Sequence, residues 1–277
     1  MKKDLVSIII PNWFTEAGGK IAPTAEAFWF AQQCIPRIKE YTKNFELILI
    51  DNGSVLGSDY LKEQAMDGGK FFRNETNLGF AKAVNQGIIL SEGEWVCVIN
   101  NDVFVWPGWM EALKLTFTDN PTCGIAMPAL VKDVRKAREA LAIEMPDLHS
   151  NYGIYGAHAE FGSCWLTRRI NLDKLKDVRG YYLDENFQYG FGEDRDLWKA
   201  VRYYLNLETY RTHNTRIFHQ GNTTIGKIPN RKIYTSANRE YLKEKWDKIL
   251  ATQNSVKSVD IGNNVPNLEE PKNIKMD

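Results

Sequence analysis

Four stretches of the chain are apolar almost without interruption: "LVSIII" (Leu5 to Ile10), "FELILI" (Phe45 to Ile50), "EWVCVI" (Glu94 to Ile99) and "CGIAMP" (Cys123 to Pro128). A fifth, "KFFRN" (Lys70 to Asn74), is shorter. Unbroken apolar runs of this length predict strands whose two faces are both covered, unlike the alternation of a half-exposed sheet. Between them lie stretches with helical spacing: Thr24 to Tyr41, Ser58 to Met66, Gly79 to Ser91, and Pro107 to Asp119, where Pro107 suits a helix start. Strand, helix, strand at this spacing predicts parallel βαβ units with right-handed crossovers.

The rhythm fails after Pro128. Val131 to Tyr155 is charged, then rich in Gly and Tyr, and reads as a long surface excursion of the kind that is usually functional or disordered. Phe161 to Thr167 is a further strand candidate, and Asp194 to Leu205 a helix with Leu197, Val201 and Leu205 on one face. "TYRTHNTRIFHQG" reads as a late strand ending at His219, and Ala237 to Leu250 as an amphipathic helix carrying Tyr241, Trp246 and Leu250. Ser255 to Asp277 is polar, rich in Asn and Lys, and predicts a loosely held tail. The division expected is one domain over residues 1–254, with halves at about 1–130 and 131–254, followed by a tail over 255–277.

Composition narrows the class. A chain of 277 residues, 43% hydrophobic and 25% charged, buries a substantial core. Its 35 Lys and Arg balance 35 Asp and Glu, so no global field draws in nucleic acid. Cys34, Cys97, Cys123 and Cys164 form no Cys-x-x-Cys pair and read as reduced core thiols of a cytoplasmic protein. The opening "MKKDLVSIIIPNW" is broken by Pro11 before it reaches the length of a signal segment, and no later run is long enough to span a membrane. Peripheral membrane contact stays open.

The candidate chemistry lies where the strands end. Cys97 to Ile99 runs straight into Asn100, Asn101 and Asp102. Asn12 follows the first strand, Asp51-Asn52-Gly53-Ser54 the second, and Arg73 to Asn77 the third. One such end is explained by a turn, because Asn and Asp bond their own backbone. Four at one edge of a parallel sheet outline a ligand site of nucleotide size, since ligands of open α/β sheets collect beyond the carboxyl ends of the strands.

"SIIIPNW", "ILIDNGS", "RNETNLGFAKAVNQGI", "VINNDVF" and "GEDRDLWKAVR", in this order, resemble the family 2 glycosyltransferases of the GT-A fold, especially their rhamnosyltransferase-like branch. The resemblance covers roughly Val6 to Asn222. It implies an α/β, Rossmann-like fold with a mostly parallel central sheet flanked by helices and a smaller acceptor-side C-terminal part. It also implies inverting transfer of a sugar from a nucleoside-diphosphate sugar, UDP- or dTDP-linked, to a hydroxyl on a glycan, a lipid-linked glycan or a protein, assisted by a divalent metal, Mn²⁺ or Mg²⁺.

Residue by residue, the resemblance implies that Pro11, Asn12 and Trp13 line the base pocket, that Asp51 accepts a hydrogen bond from the base, and that Arg73, Asn100 and Asn101 lie against the nucleotide. Asn77, Gly79 and Asn85 match a signature of structural character, with Asn77 capping a helix and Gly79 permitting a close backbone approach. Asp102 corresponds to the metal-binding carboxylate. The family's usual pattern there is Asp-x-Asp, whereas this chain has Asn100-Asn101-Asp102, one carboxylate fewer. His219 in "HQGNTT" is the candidate second ligand, and an imidazole would favour Mn²⁺ over Mg²⁺.

Inverting transfer needs a base for the acceptor hydroxyl, and the resemblance implies that the acidic pair of "GFGEDRDL" supplies it, Asp194 first and Glu193 as runner-up or as the group that orients the acceptor. Acidic residues at a helix start also serve as caps, which is the structural alternative. Trp165 in "FGSCWLTRR" is a candidate sugar-stacking residue or a core tryptophan. Lys227 and Arg231 in "GNTTIGKIPNRK" are candidates for neutralising the departing diphosphate from a lid, or solvated loop residues. A sugar-1-phosphate nucleotidyltransferase is the rival enzyme, with Gly18-Gly19-Lys20 placed late for its phosphate loop, and a non-catalytic nucleotide-sugar binder is the rival outside catalysis.

Overall fold

The structure is a computed structural model that describes residues 1–17, 25–131, 154–156, 162–221, 223, 225–228 and 230–260. Its strands are β1 (Lys2–Asn12), β2 (Phe45–Asn52), β3 (Lys70–Asn74), β4 (Gly93–Ile99), β5 (Val103–Phe104), β6 (Cys123–Val131), β7 (Ile154–Gly156), β8 (Cys164–Arg168) and β9 (Glu208–His219). Its helices are α1 (Glu26–Tyr41), α2 (Ser58–Gln64), α3 (Phe80–Leu90), α4 (Trp109–Asp119), α5 (Arg169–Arg179), α6 (Glu193–Leu205) and α7 (Arg231–Asp260), with a 3₁₀ turn at Ile225–Lys227.

One sheet runs in the order β3-β2-β1-β4-β8-β6-β9-β5, with β7 paired to β9. The first four strands are parallel neighbours. β8 enters antiparallel between β4 and β6, which restores the original direction at β6, and β9 follows β6 in parallel. The half of the sheet built from β3, β2, β1 and β4 is therefore wholly parallel, and the other half is mixed.

The continuous apolar runs have a direct explanation. Ile8, Ile10, Leu47, Leu49 and Cys97 face one layer together with Phe30, Cys34 and Ile38 of α1 and Trp109 and Leu113 of α4. Ile9, Ile48, Ile50, Val96 and Val98 face the other, together with Val84 and Ile88 of α3, Leu172 of α5, Trp198 of α6 and Trp246 of α7. Successive side chains of a strand point to opposite faces, and here both faces are covered. Burying each such branched side chain contributes roughly 1.5–3 kcal/mol.

Three expectations change. Arg169–Arg179 is a helix that periodicity does not reveal, because "RINLDKLKDVR" buries only Asn171, Leu172 and Leu175. The last helix is longer at both ends than Ala237 to Leu250, so the first residues of the expected tail, up to Asp260, are helical. Within the expected excursion, Ile154–Gly156 forms a strand antiparallel to β9. The rest of that excursion (132–153), Gly18-Gly19-Lys20 and the tail beyond Asp260 lie outside the described residues.

Candidate active site

Sheet register assembles the first part of the site. Asn12 pairs with Asp51 across β1 and β2, and Asp51 pairs with Arg73 across β2 and β3, so three polar strand ends stand in a row. The Asp51 carboxylate is fully buried. It accepts the Ser54 backbone N–H at 2.9 Å and a charge-assisted bond from the Arg73 guanidinium, which also donates to the Ser54 carbonyl at 3.0 Å. Beside this pair Asn52 donates to Asn77 Oδ1 at 2.9 Å and accepts from Asn74 at 3.0 Å and from the Leu78 N–H at 3.0 Å.

The signature residues around α3 are structural, with one correction. Asn77 Oδ1 takes the N–H of Gly79, two residues on, so it closes a side-chain turn ahead of the helix and leaves the cap position to Gly79 itself. The φ of +90° at Gly79 is what demands glycine, and the backbone of Tyr189 passes beside it. Asn85 donates to the Leu183 carbonyl at 2.9 Å and accepts the Leu183 N–H at 3.0 Å, tying α3 to the segment that leads into α6.

The end of β4 provides the second part. After Ile99 the chain turns into β5, and Val103 pairs with His219 of β9, which brings the His219 ring beside Asp102. Asp102 is buried; its Oδ1 lies 3.1 Å from His219 Nε2, and its Oδ2 accepts the Gly221 N–H at 3.0 Å and the Thr223 hydroxyl at 2.8 Å. Burial opposes the charge on Asp102, but the His219 ring, the Thr223 hydroxyl and the Gly221 N–H together outweigh it and hold the carboxyl below its usual range. Burial likewise opposes a charged His219, and the Asp102 carboxylate overcomes it, so the imidazole pKa is raised.

The third part is the entry to α6. Tyr189, Gly190, Phe191 and Gly192 have φ of 60°, 132°, 77° and 109°, four successive residues in the left-handed half of backbone space. Glu193 and Asp194 follow at the first turn of the helix. Glu193 is buried, and its Oε2 has no hydrogen-bond partner among the described residues. Burial and then the neighbouring Asp194 charge push its pKa up to about 8. Asp194 is raised as well, chiefly by burial, while its Oδ1 accepts the Arg195 N–H at 2.8 Å. A Cβ on Gly162 would stand 2.5 Å from Asp194 Oδ2, so only a glycine there leaves the carboxylate its place.

These parts share one cavity of about 610 Å³. Pro11, Asn12, Trp13, Asn100, Asn101, Asp102, Glu193, Asp194 and His219 line it, as do Phe80, Ser163, Tyr189, Phe191, Thr223 and Arg239. Asp51 and Arg73 are not among the residues of the wall; they pair with each other, Asp51 buried and Arg73 partly exposed. Trp165 is buried edge-on against Trp198, with ring centroids 5.9 Å apart, and is a core residue with no face for a sugar. Lys227 Nζ lies 3.7 Å from Glu26, and the Arg231 guanidinium stands 5.2 Å from the Phe191 ring, both outside the wall. Sequence reasoning passed over Ser163, Thr223 and the aromatic pair Tyr189 and Phe191; the glycines on either side of Phe191 were the available signal for the pair.

Residues 22–176, more than half of the chain, match the family model for glycosyl transferase family 2. The chain belongs to this family. The matched span includes Asp51, Arg73 and Asp102 and ends before Glu193, Asp194 and His219. A glycosyltransferase of Streptococcus pneumoniae serotype 4, GlyG, is 27% identical over 114 residues, covering 40% of this chain and 34% of that protein. The chain thus aligns with about a third of the length of that relative. Among solved structures, GalNAc-T7 with UDP, GalNAc and Mn²⁺ superposes with a TM-score of 0.58 at 15% identity, covering 77% of this chain and 43% of that one. TarS of S. aureus, residues 1–349, superposes at 0.53 and 13% identity, covering 86% and 69%. The same TarS segment with UDP-GlcNAc superposes at 0.51 and 14% identity, covering 77% and 57%. The fold is that of the GT-A glycosyltransferases.

The donor atoms bear on the metal that the resemblance implies. Among the described residues, no three His, Cys, Asp or Glu side chains gather into a metal cluster. What is present is a carboxylate oxygen and an imidazole nitrogen 3.1 Å apart, with the buried Asn100 Oδ1, which has no partner among the described residues, on the same cavity wall. Such a sparse set of oxygen and nitrogen donors fits a divalent ion that completes its shell with diphosphate oxygens and water. A raised His219 pKa means that a metal taking Nε2 must displace a proton more firmly held than usual.

Proposed function

We propose that this protein is an inverting glycosyltransferase that moves a sugar from a UDP- or dTDP-linked donor to a hydroxyl acceptor. The observation that carries the reading is the pairing, in one cavity, of two carboxyl centres of opposite character. Asp102 is held ionised beside His219, and Asp194 with Glu193 forms an acidic pair whose pKa values are raised. Pairs of titratable groups pushed apart by their surroundings mark a division of acid, base and charge-binding roles.

In this reading Pro11, Asn12 and Trp13 hold the base, Asn100 and Asn101 meet the ribose and phosphates, and Asp51 and Arg73 open their mutual ion pair toward the base. Asp194 takes the proton of the acceptor hydroxyl as its oxygen forms the new bond to the anomeric carbon. The bond from that carbon to the diphosphate breaks on the opposite face, the nucleoside diphosphate departs with the electron pair, and the configuration inverts. Glu193, protonated near neutrality, orients the acceptor by donating a hydrogen bond. Asp102 and His219, with Asn100 Oδ1, would hold a divalent ion, which would supply positive charge against the leaving diphosphate. Lys227 and Arg231, which pair with Glu26 and stack over Phe191 here, would turn toward the departing diphosphate to add to that charge. The ordered motifs favour the rhamnosyltransferase-like branch, and four free, buried cysteines favour a reducing, cytoplasmic setting. No described helix is long and apolar enough to cross a membrane.

The test is a thermal-shift panel of nucleoside diphosphates and their sugars, with Mn²⁺, Mg²⁺ or EDTA, followed by product analysis of any donor that is consumed. UDP or dTDP should raise the melting temperature, and the consumed donor should release a nucleoside diphosphate and a product of inverted configuration. Pyrophosphate release from a nucleoside triphosphate would replace the reading with nucleotidyl transfer.

A further inference from the structure

The left-handed run from Tyr189 to Gly192 is strained in a way that invites a reason. Tyr189 and Phe191 are not glycines, yet their φ values are 60° and 77°, a conformation that L-residues rarely adopt because Cβ crowds the backbone carbonyl. The strain is held by Asn238 of α7, itself buried. Asn238 Oδ1 accepts the Gln188 N–H at 3.1 Å, and its Nδ2 lies 3.0, 3.1 and 3.0 Å from the carbonyls of Gln188, Gly190 and Phe191. One side chain thus fixes the backbone of a loop that would otherwise relax.

The held loop places two aromatic residues at the cavity. Tyr189 and Phe191 are 39% and 37% exposed, large apolar side chains kept in solvent, and both line the wall that Asp194 lines. Each ring is braced from outside the cavity wall: Tyr189 edge-on to Tyr234 with centroids 4.7 Å apart, and Phe191 under the Arg231 guanidinium. A flat apolar face beside a polar catalytic group suits a ligand with an apolar face and a hydroxyl edge, which describes a pyranose ring. A simple alcohol or a serine side chain has no such face.

We propose that Tyr189 and Phe191 form a stacking platform for a pyranose on the acceptor, latched by Asn238, so that the acceptor of this enzyme is a sugar. This rests on the glycosyltransferase reading of the same cavity. The platform sets the acceptor ring against the strained loop and turns one ring hydroxyl toward Asp194.

The experiment is ligand-observed saturation-transfer NMR on the full chain, using methyl α- and β-pyranosides of glucose, galactose, rhamnose and N-acetylglucosamine as probes, with glycerol as the ring-free control and UDP and dTDP measured in separate samples. Wild type should bind at least one pyranoside and not glycerol. The double change Tyr189→Gly and Phe191→Gly removes both rings while relieving the backbone, and its pyranoside affinity, read on protein that keeps a cooperative melting transition, should fall roughly tenfold or more. Tyr189→Phe keeps the ring and should keep binding. No pyranoside binding by wild type, or undiminished binding by the double variant, overturns the platform. Pyranoside binding without any UDP or dTDP binding leaves the platform standing and contradicts the donor assignment instead.

Discussion

Asp102 and Glu193 are buried carboxyl groups of one cavity, and the protein treats them in opposite ways. Asp102 has His219, the Thr223 hydroxyl and the Gly221 N–H around it, which favours the charged form against burial. Glu193 has a like charge next to it and an oxygen that nothing described satisfies, so its proton is retained up to about pH 8. The fate of a buried carboxyl thus follows its partners more than its depth: donors around Asp102 favour its charge, and their absence around Glu193 leaves its proton in place.

The comparison breaks most visibly at Asp194. Asp194→Asn keeps size and capping ability but cannot accept a proton, so turnover should fall roughly 10²–10⁴-fold with donor affinity intact, as read by initial rates and nucleotide binding on one preparation. A helix cap alone would instead lower the melting temperature and leave the folded fraction active. Glu193→Gln, compared under the same conditions, should lose less, since Gln still donates a hydrogen bond. Asp51→Ala should cost about 1.5–3 kcal/mol in UDP or dTDP affinity by calorimetry, as expected for a lost bond to a charged group.

The smallest effect is a slope. A folded-state pKa raised to about 8 means that unfolded Glu193 ionises near its ordinary value of 4.5 while the folded form keeps its proton. The unfolded state therefore binds fewer protons between those values, and stability drains away as pH rises from about 4.5 to about 8. Glu193→Gln has nothing to ionise, so its melting temperature should decline less over that window. Parallel declines would place the Glu193 pKa near its ordinary value.

The first half of this picture was legible in the sequence because its determinants are local. Continuous apolar runs of five or six residues bounded by polar turn residues read as buried strands, and the registers of β1, β2 and β3 set Asn12, Asp51 and Arg73 in line. The meeting of Asp102 with His219 was foreseen from the resemblance, but its cause, the two-residue strand β5 pairing with β9, is too short to leave a pattern. α5 was missed for want of apolar residues, and the service of Asn238 to a loop some fifty residues earlier carries no sequence signal at all. Trp165 shows the opposite failure: a tryptophan beside a motif looks like a ligand platform until its burial against Trp198 is seen.

The central claim, that the two carboxyl centres divide binding from chemistry, is met most directly by titrating UDP and dTDP calorimetrically, in the presence of Mn²⁺ and again in EDTA, into Asp102→Ala and Asp194→Asn side by side. The account predicts that Asp194→Asn binds nucleotide as wild type does, tighter with metal than with chelator, and that Asp102→Ala loses that metal dependence. Nucleotide binding that is equal with metal and chelator in wild type, or a loss confined to Asp194→Asn, would contradict it.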